Sequence, residues 1–204
     1  MGIKGIHGGS MSTIISKTDF HSIDLIVEHL LANKLIIMPC DTIYGIVGIV
    51  PDSMPVLKMI KGREETKPFI QLVTFEMADA IACSAIDERV LEAWPGPLTV
   101  IVRNKVGSTT AIRVPADTFL HKILDRVGKP LYSTSVNVSG EVPLTSFQLM
   151  YTRFSEKIPL FVRGDDQQGT TPSTIIDITT IPYRLVREGA IDVRSLIAGS
   201  NHKG

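Results

Sequence analysis

LYSTSVNVSGEVPLT, residues 131–145, is the stretch from which the rest of the chain is read. It opens as a short apolar strand and then sets down Ser133, Thr134, Ser135, Asn137 and Ser139 before Gly140. A loop rich in hydroxyl and amide groups therefore leaves the end of a buried element. Side chains alternate along an extended backbone, so Ser133, Ser135, Asn137 and Ser139 fall in one row on one face. Such a row is either the wall of a binding site or a solvated Ser/Asn turn of the kind any domain can contain. The stretch alone leaves both open.

Working outward toward the N-terminus, Phe119, Leu120, Ile123, Leu124 and Val127 recur at helical spacing, and residues 109–114 read as a strand carrying Arg113 just before Pro115. Residues 98–103 form another strand, and Pro95-Gly96-Pro97 ends a helix over 86–94 that follows one over 75–83. Residues 69–73 are a strand. Ahead of it stands KGREETKP, with Lys61, Arg63 and Lys67 close together, after a helix that Asp52 or Ser53 caps and that runs through Ile60. Ile23, Ile26, Val27, Leu30 and Leu31 mark a helix over 20–32 with Ser22 as its N-cap, and 35–38 is a buried strand. That strand empties into a second candidate site loop, residues 39–45, where Gly45 permits a tight bend or the close approach of a ligand. Toward the C-terminus, Ser146 caps a helix to Phe154, and 159–162, 173–178 and 184–186 are short β segments with a polar loop over 164–171. Interleaved helices and strands predict one α/β domain over 13–204, with a mixed central sheet and flanking helices. The Gly-rich residues 1–12 read as a flexible tail.

At 204 residues the chain is long enough to bury a core without staples. Apolar residues make up 44% and charged residues 21%, and no run of about eighteen apolar residues is present to span a bilayer. Twenty-one basic residues balance 21 acidic ones, so contact with RNA would need a local basic patch and not a global field. Cys40 and Cys83 lie far apart, outside any CxxC or secretory pattern, which predicts a reducing, cytoplasmic setting.

Thr42, Arg63, Lys67, Arg113, Ser135, Asn137, Ser173 and Arg187 all fall at strand ends or in adjoining loops, where ligands of open α/β sheets collect. The cations suit a polyanion, phosphate first, although each one singly is also an ordinary solvated surface charge. There is no GxxxxGK(S/T) and no GxGxxG after a strand, so the phosphate cradle is of another kind. The five histidines are scattered and build no metal cage, while Mg²⁺ brought in by a nucleotide needs few protein ligands. Cys40 reads as a small buried residue before a turn, not a nucleophile. Ser135 has no GxSxG elbow, and Trp94 closes a helix.

In this order, the blocks resemble the YrdC-like family of threonylcarbamoyl-AMP synthases, over about residues 20–195. PCDTIYGIVG is similar to the family's P-T-(D/E)-T-x-Y-G-L-G, KGREETKPF to its K-x-R-x-x-x-(K/N)-(P/G)-L, and WPGPLTVIV to its PGPxT stretch. AIRVP, STSVNVSG, PSTIIDIT and LVREGAI resemble further blocks. The resemblance implies a twisted α/β domain with a concave basic cavity. It also implies the reaction of ATP, L-threonine and bicarbonate to threonylcarbamoyl-AMP and pyrophosphate, for threonylcarbamoyladenosine beside the tRNA anticodon. Carried over by motif, Thr42, Arg113, Ser135 and Ser173 would contact threonine. Arg63, Lys67, Thr109, Asn137, Thr145 and Arg187 would contact ATP, which would bring Mg²⁺ with it. Lys61, Arg63, Lys67, Ser135 and Asn137 would serve catalysis, Lys61 as part of the basic wall.

There are departures from the pattern. Cys40 replaces the usual first Thr and Ile46 the usual Leu, and Leu72 stands where long members carry His, which groups the chain with the short, single-domain form. Ending at 204, it is expected to lack the C-terminal domain of the long enzymes. Two other readings stand beside the synthase: a YrdC-like paralogue that binds RNA or nucleotide without making the adenylate, and the carbamoyl-transfer domain of hydrogenase maturation proteins. The second normally sits in a longer chain with zinc-finger motifs.

Overall fold

The computed structural model describes residues 12–62, 68–164 and 171–200. In chain order the elements begin with β1 (Thr13–Ser16), α1 (Ser22–Leu31), β2 (Ile36–Pro39), β3 (Tyr44–Ile49), α2 (Met54–Lys61) and β4 (Ile70–Leu72). They continue with α3 (Phe75–Ile81), α4 (Glu88–Glu92), β5 (Leu98–Arg103), β6 (Thr109–Arg113), α5 (Thr118–Val127) and β7 (Leu131–Ser135). Last come α6 (Phe147–Phe154), β8 (Leu160–Arg163), β9 (Thr174–Asp177), β10 (Arg184–Arg187) and α7 (Arg194–Gly199). The strands form one ten-stranded sheet in the order β1-β8-β2-β3-β7-β4-β6-β5-β9-β10. It is mixed: β1 and β2 flank β8 in parallel, β4 pairs parallel to β6 and β5 to β9, and the remaining pairs are antiparallel.

Every helix and strand expected from periodicity is present, and β1, β3 and α7 are additional. β3 was hidden by its two glycines, which read as loop. Gly48 is needed for close approach: a Cβ there would lie 2.4 Å from Leu35 Cδ2 and 2.6 Å from Ser53 Cβ. β1 is a short edge strand with a partly exposed TIIS pattern, which carries no alternation signal. None of the three expected serine caps makes a capping bond, and Ser146 stands at the N-cap of α6 without one. Ser22 is the first residue of α1 and its hydroxyl donates to the Lys17 carbonyl. Ser53 stands at the N-cap of α2 without a capping bond, because its hydroxyl accepts from Ile49 N–H at 2.9 Å.

Strand alternation sorts the core onto two faces. On one, Met38, Val47 and Leu131 pack against Ile26 and Leu30 of α1 and Leu120 and Leu124 of α5. On the other, Ile37, Ile46, Tyr132 and Phe161 pack against Leu57 of α2 and Phe147 of α6. Farther along this second face, Val100, Ile112 and Ile176 meet the elements of α3, α4 and α7 through Ala78, Val90 and Leu196. The first face therefore has its helices over β2, β3 and β8. Leu72 at the end of β4 still packs with α1 and α5, and the continuation of this face over the rest of β4 and over β6, β5 and β9 carries the site.

Candidate substrate-binding site

Register brings the site together. Val47 pairs with Ser133, Ser133 with Ile70, Ile70 with Ala111 and Ala111 with Ile101, a row that crosses the sheet from the packed half of the face into the open half. Ile70, Ala111, Ile101 and Ile175 form the floor of a cavity of about 570 Å³, within the range of small-molecule sites. Thr42, Arg113, Ser133, Thr134, Ser135, Ser173 and Arg187 supply its polar lining. Leu72, the position expected to be His only in long members, is fully buried among core residues and is not part of that lining.

Arg113 ends β6 with its side chain only 4% exposed, and its Nη1 donates to Asp41 Oδ1 at 2.5 Å. Asp41 sits in the turn between β2 and β3, and its second oxygen accepts from Ala116 N–H at 3.1 Å. Arg187 is held differently. Its Nε and Nη2 both donate to the Ser173 carbonyl, at 3.1 and 2.7 Å, and Nη2 also reaches Ser173 Oγ at 3.1 Å. Ser173 Oγ in turn bonds the buried Thr99 hydroxyl at 2.8 Å, so one chain of contacts links β5, β9 and β10. Burial, and then the like charge of Arg113, pull the Arg187 pKa below the ordinary guanidinium value. An anion between the two arginines relieves that repulsion.

The polar row read from the sequence divides at the end of β7. Ser133 and Ser135 line the cavity, whereas Asn137 turns inward and is 6% exposed. Its Oδ1 accepts from Ser135 Oγ at 2.7 Å and from Lys61 Nζ at 2.6 Å, and its Nδ2 donates to the Glu141 carbonyl at 2.6 Å. Lys61 Nζ also donates to the Ser135 carbonyl at 2.9 Å. Lys61, 2% exposed, thus braces the loop from behind and is not among the cavity-lining residues.

The expected residues therefore occupy distinct places. Thr42, Arg113, Ser135, Ser173 and Arg187 share the cavity. Thr145 lines an adjoining one of about 240 Å³ that shares Ile43 and Pro172 with the first. Thr109 is exposed at the start of β6, opposite Arg103, and lines neither. Arg63 and Lys67 lie outside the described residues. Sequence reasoning missed Asp41 and Thr99, whose partners are 72 and 74 residues away.

Cys40 is 2% exposed, with Sγ 3.8 Å from Ser133 Oγ. Burial pushes its thiol up to about 12, outweighing the nearby Arg113 charge, which acts in the opposite direction. At pH 8 the protonated form dominates, while Cys83 is exposed. Native protein treated with iodoacetamide at pH 8 is therefore expected to take one label by mass spectrometry, and denatured protein two. Rapid double labelling of the native protein would contradict this account of Cys40.

Comparison with known proteins places this geometry in a lineage. The profile of the Sua5/YciO/YrdC family, described as "Telomere recombination", matches residues 28–189. A threonylcarbamoyl-AMP synthase of Blochmanniella pennsylvanica is 30% identical over 183 residues, covering 81% of this chain and 92% of that protein. One of Pyrococcus abyssi is 29% identical over 178 residues, 80% of this chain, which spans only about half (52%) of its length. The crystal structure of Pyrococcus abyssi Sua5 complexed with L-threonine superposes with a TM-score of 0.83 at 25% identity, covering 93% of this chain and 62% of that one. Escherichia coli YciO shares the fold, with a TM-score of 0.80 at 22% identity over 90% of this chain and 98% of its own. With a family profile matched across most of its length and the same α/β architecture, the chain belongs to the Sua5/YciO/YrdC family.

Proposed function

We propose that the protein is a nucleotidyltransferase, an L-threonylcarbamoyladenylate synthase. It joins L-threonine, bicarbonate and ATP into threonylcarbamoyl-AMP with release of pyrophosphate, for threonylcarbamoyladenosine modification of tRNA. The observation that carries this reading is the convergence of Arg113, Arg187 and the hydroxyls of Thr42, Ser135 and Ser173 on one cavity with an apolar floor. Relatives named for this activity, and the threonine complex of Pyrococcus abyssi Sua5, support the choice of ligands.

In this reading Arg113 takes the threonine carboxylate, and Thr42, Ser135 and Ser173 serve its hydroxyl and amine. Arg187 and Thr145 serve the nucleotide, with Arg63 and Lys67 adding charge for its phosphates. Asn137 and Lys61 act by fixing the Ser135 loop. The threonine amine takes up CO₂ derived from bicarbonate as a carbamate. A carbamate oxygen then attacks the α-phosphorus, the bond to the β-phosphate oxygen breaks, and pyrophosphate departs with that electron pair. Positioning and charge neutralisation supply the acceleration. Mg²⁺ enters as part of MgATP: the cavity lining offers hydroxyls and arginines, and among the described residues no three His, Cys, Asp or Glu side chains cluster to hold an ion. The phosphates themselves would be its main ligands. No described helix is long and apolar enough to cross a membrane, and a cytoplasmic setting beside tRNA fits the proposal.

Pyrophosphate release by purified protein tests it, with L-threonine and bicarbonate omitted in turn. Release is expected only when both accompany ATP. Release indifferent to both sinks the synthase reading, and tight ATP binding with no turnover favours the nucleotide-binding paralogue.

A further inference from the structure

We infer that Asp41 is a positioning residue for substrate recognition: it aims the Arg113 guanidinium at the amino acid's carboxylate. The inference rests on the synthase reading of the cavity. Both Asp41 oxygens are engaged, one by Arg113 Nη1 at 2.5 Å and the other by Ala116 N–H at 3.1 Å. The carboxylate thus staples the turn between β2 and β3 to the chain leaving β6, with the arginine gripped between. Both side chains are nearly inaccessible, 4% exposed for Arg113 and 8% for Asp41. A guanidinium buried this deeply requires a counter-charge.

The grip is deliberately incomplete in chemical terms. A guanidinium has five N–H donors in a fixed fork and commonly pairs with a carboxylate through two of them. Here Asp41 takes one Nη, Arg113 Nε is buried without a partner, and among the described residues Asp41 is the one hydrogen-bonding partner of Arg113. Asp41 therefore orients the fork while leaving donors for a second carboxylate. Its absence from the cavity lining makes its influence indirect. Arg187, on the nucleotide side, is anchored separately, on the Ser173 carbonyl, so the effect of Asp41 is expected to fall on the amino acid.

Steady-state kinetics of Asp41→Ala, Asp41→Asn and Asp41→Glu test this. In Asp41→Ala the KM for L-threonine is expected to rise at least tenfold with the KM for ATP within twofold, and Asp41→Glu to recover most of the loss. In an Arg113→Lys background, Asp41→Ala is expected to add less than twofold, because the fork it aims is gone. If Asp41→Ala does not fold, the isosteric Asp41→Asn is expected to show the same split between substrates. Wild-type protein run alongside separates the two possible failures. A wild type without threonine-dependent pyrophosphate release overturns the synthase reading and this inference with it. A wild type that turns over, with an Asp41 variant whose threonine KM is unchanged or rises in step with that for ATP, overturns the inference alone.

Discussion

Arg113→Ala is expected to lower threonine-dependent pyrophosphate release at least thirtyfold, with threonine affinity lost far more than ATP affinity. Truncating one partner of a buried, hydrogen-bonded charge pair costs about 2–5 kcal/mol of binding, roughly 30-fold to several thousandfold. Arg113 is the deepest cation in the cavity lining, and Arg187 is already committed to Ser173. The substitution also strands Asp41 as an uncompensated buried charge, at a stability cost of about 3–5 kcal/mol. Thermal melting therefore has to accompany the kinetics. Arg113→Lys keeps the charge and loses the fork, so it is expected to fold and to bind threonine at an intermediate level. Calorimetric titration with each substrate checks the assignment; equal loss of threonine and ATP binding would show that Arg113 has a different role.

Gly189→Ala is expected to damage both stability and turnover from a position that touches no substrate. A Cβ there would lie 2.4 Å from the Pro172 carbonyl oxygen, 2.5 Å from Ser173 C and 2.5 Å from Thr174 N. All three are backbone atoms, which cannot rotate aside as a side chain would. The contact is already tight, with Ala190 N–H donating to Pro172 O at 2.9 Å. Overpacking of this kind costs about 1–3 kcal/mol, which for a chain of this size lowers the melting temperature by roughly 2–12 °C. Because Pro172 and Ser173 line the cavity and Ser173 holds Arg187, kcat/KM is expected to fall at least tenfold. Melting curves and pyrophosphate kinetics read the two effects. A variant with wild-type values for both would mean that the segments part without consequence.

Some of this was readable in the chain before any folding. The spacing of Phe119, Leu120, Ile123, Leu124 and Val127 placed α5, and the apolar run at 98–103 placed β5, because periodicity is a local property of consecutive residues. β3 escaped because Gly45 and Gly48 look like loop residues until their neighbours are known. The row from Ser133 to Ser139 was legible as polar, but not the point where the strand ends. That point follows from Asn137 being drawn inward by Lys61, 76 residues earlier. Position 72 was legible as apolar, yet only the packing of α1 and α5 shows that it belongs to the core.

By itself, then, the sequence determined the α/β class, the expected helices and strands, and, through the order of its motifs, the family resemblance. Tertiary structure alone decided which side chains share a space. Thr42, Arg113, Ser135, Ser173 and Arg187 meet there, whereas Thr109 and Lys61 stand outside and Asp41 becomes the partner of Arg113. The physical reason is register: hydrogen bonding between strands far apart in the chain sets each side chain's neighbours across a sheet. No local spacing encodes that pairing.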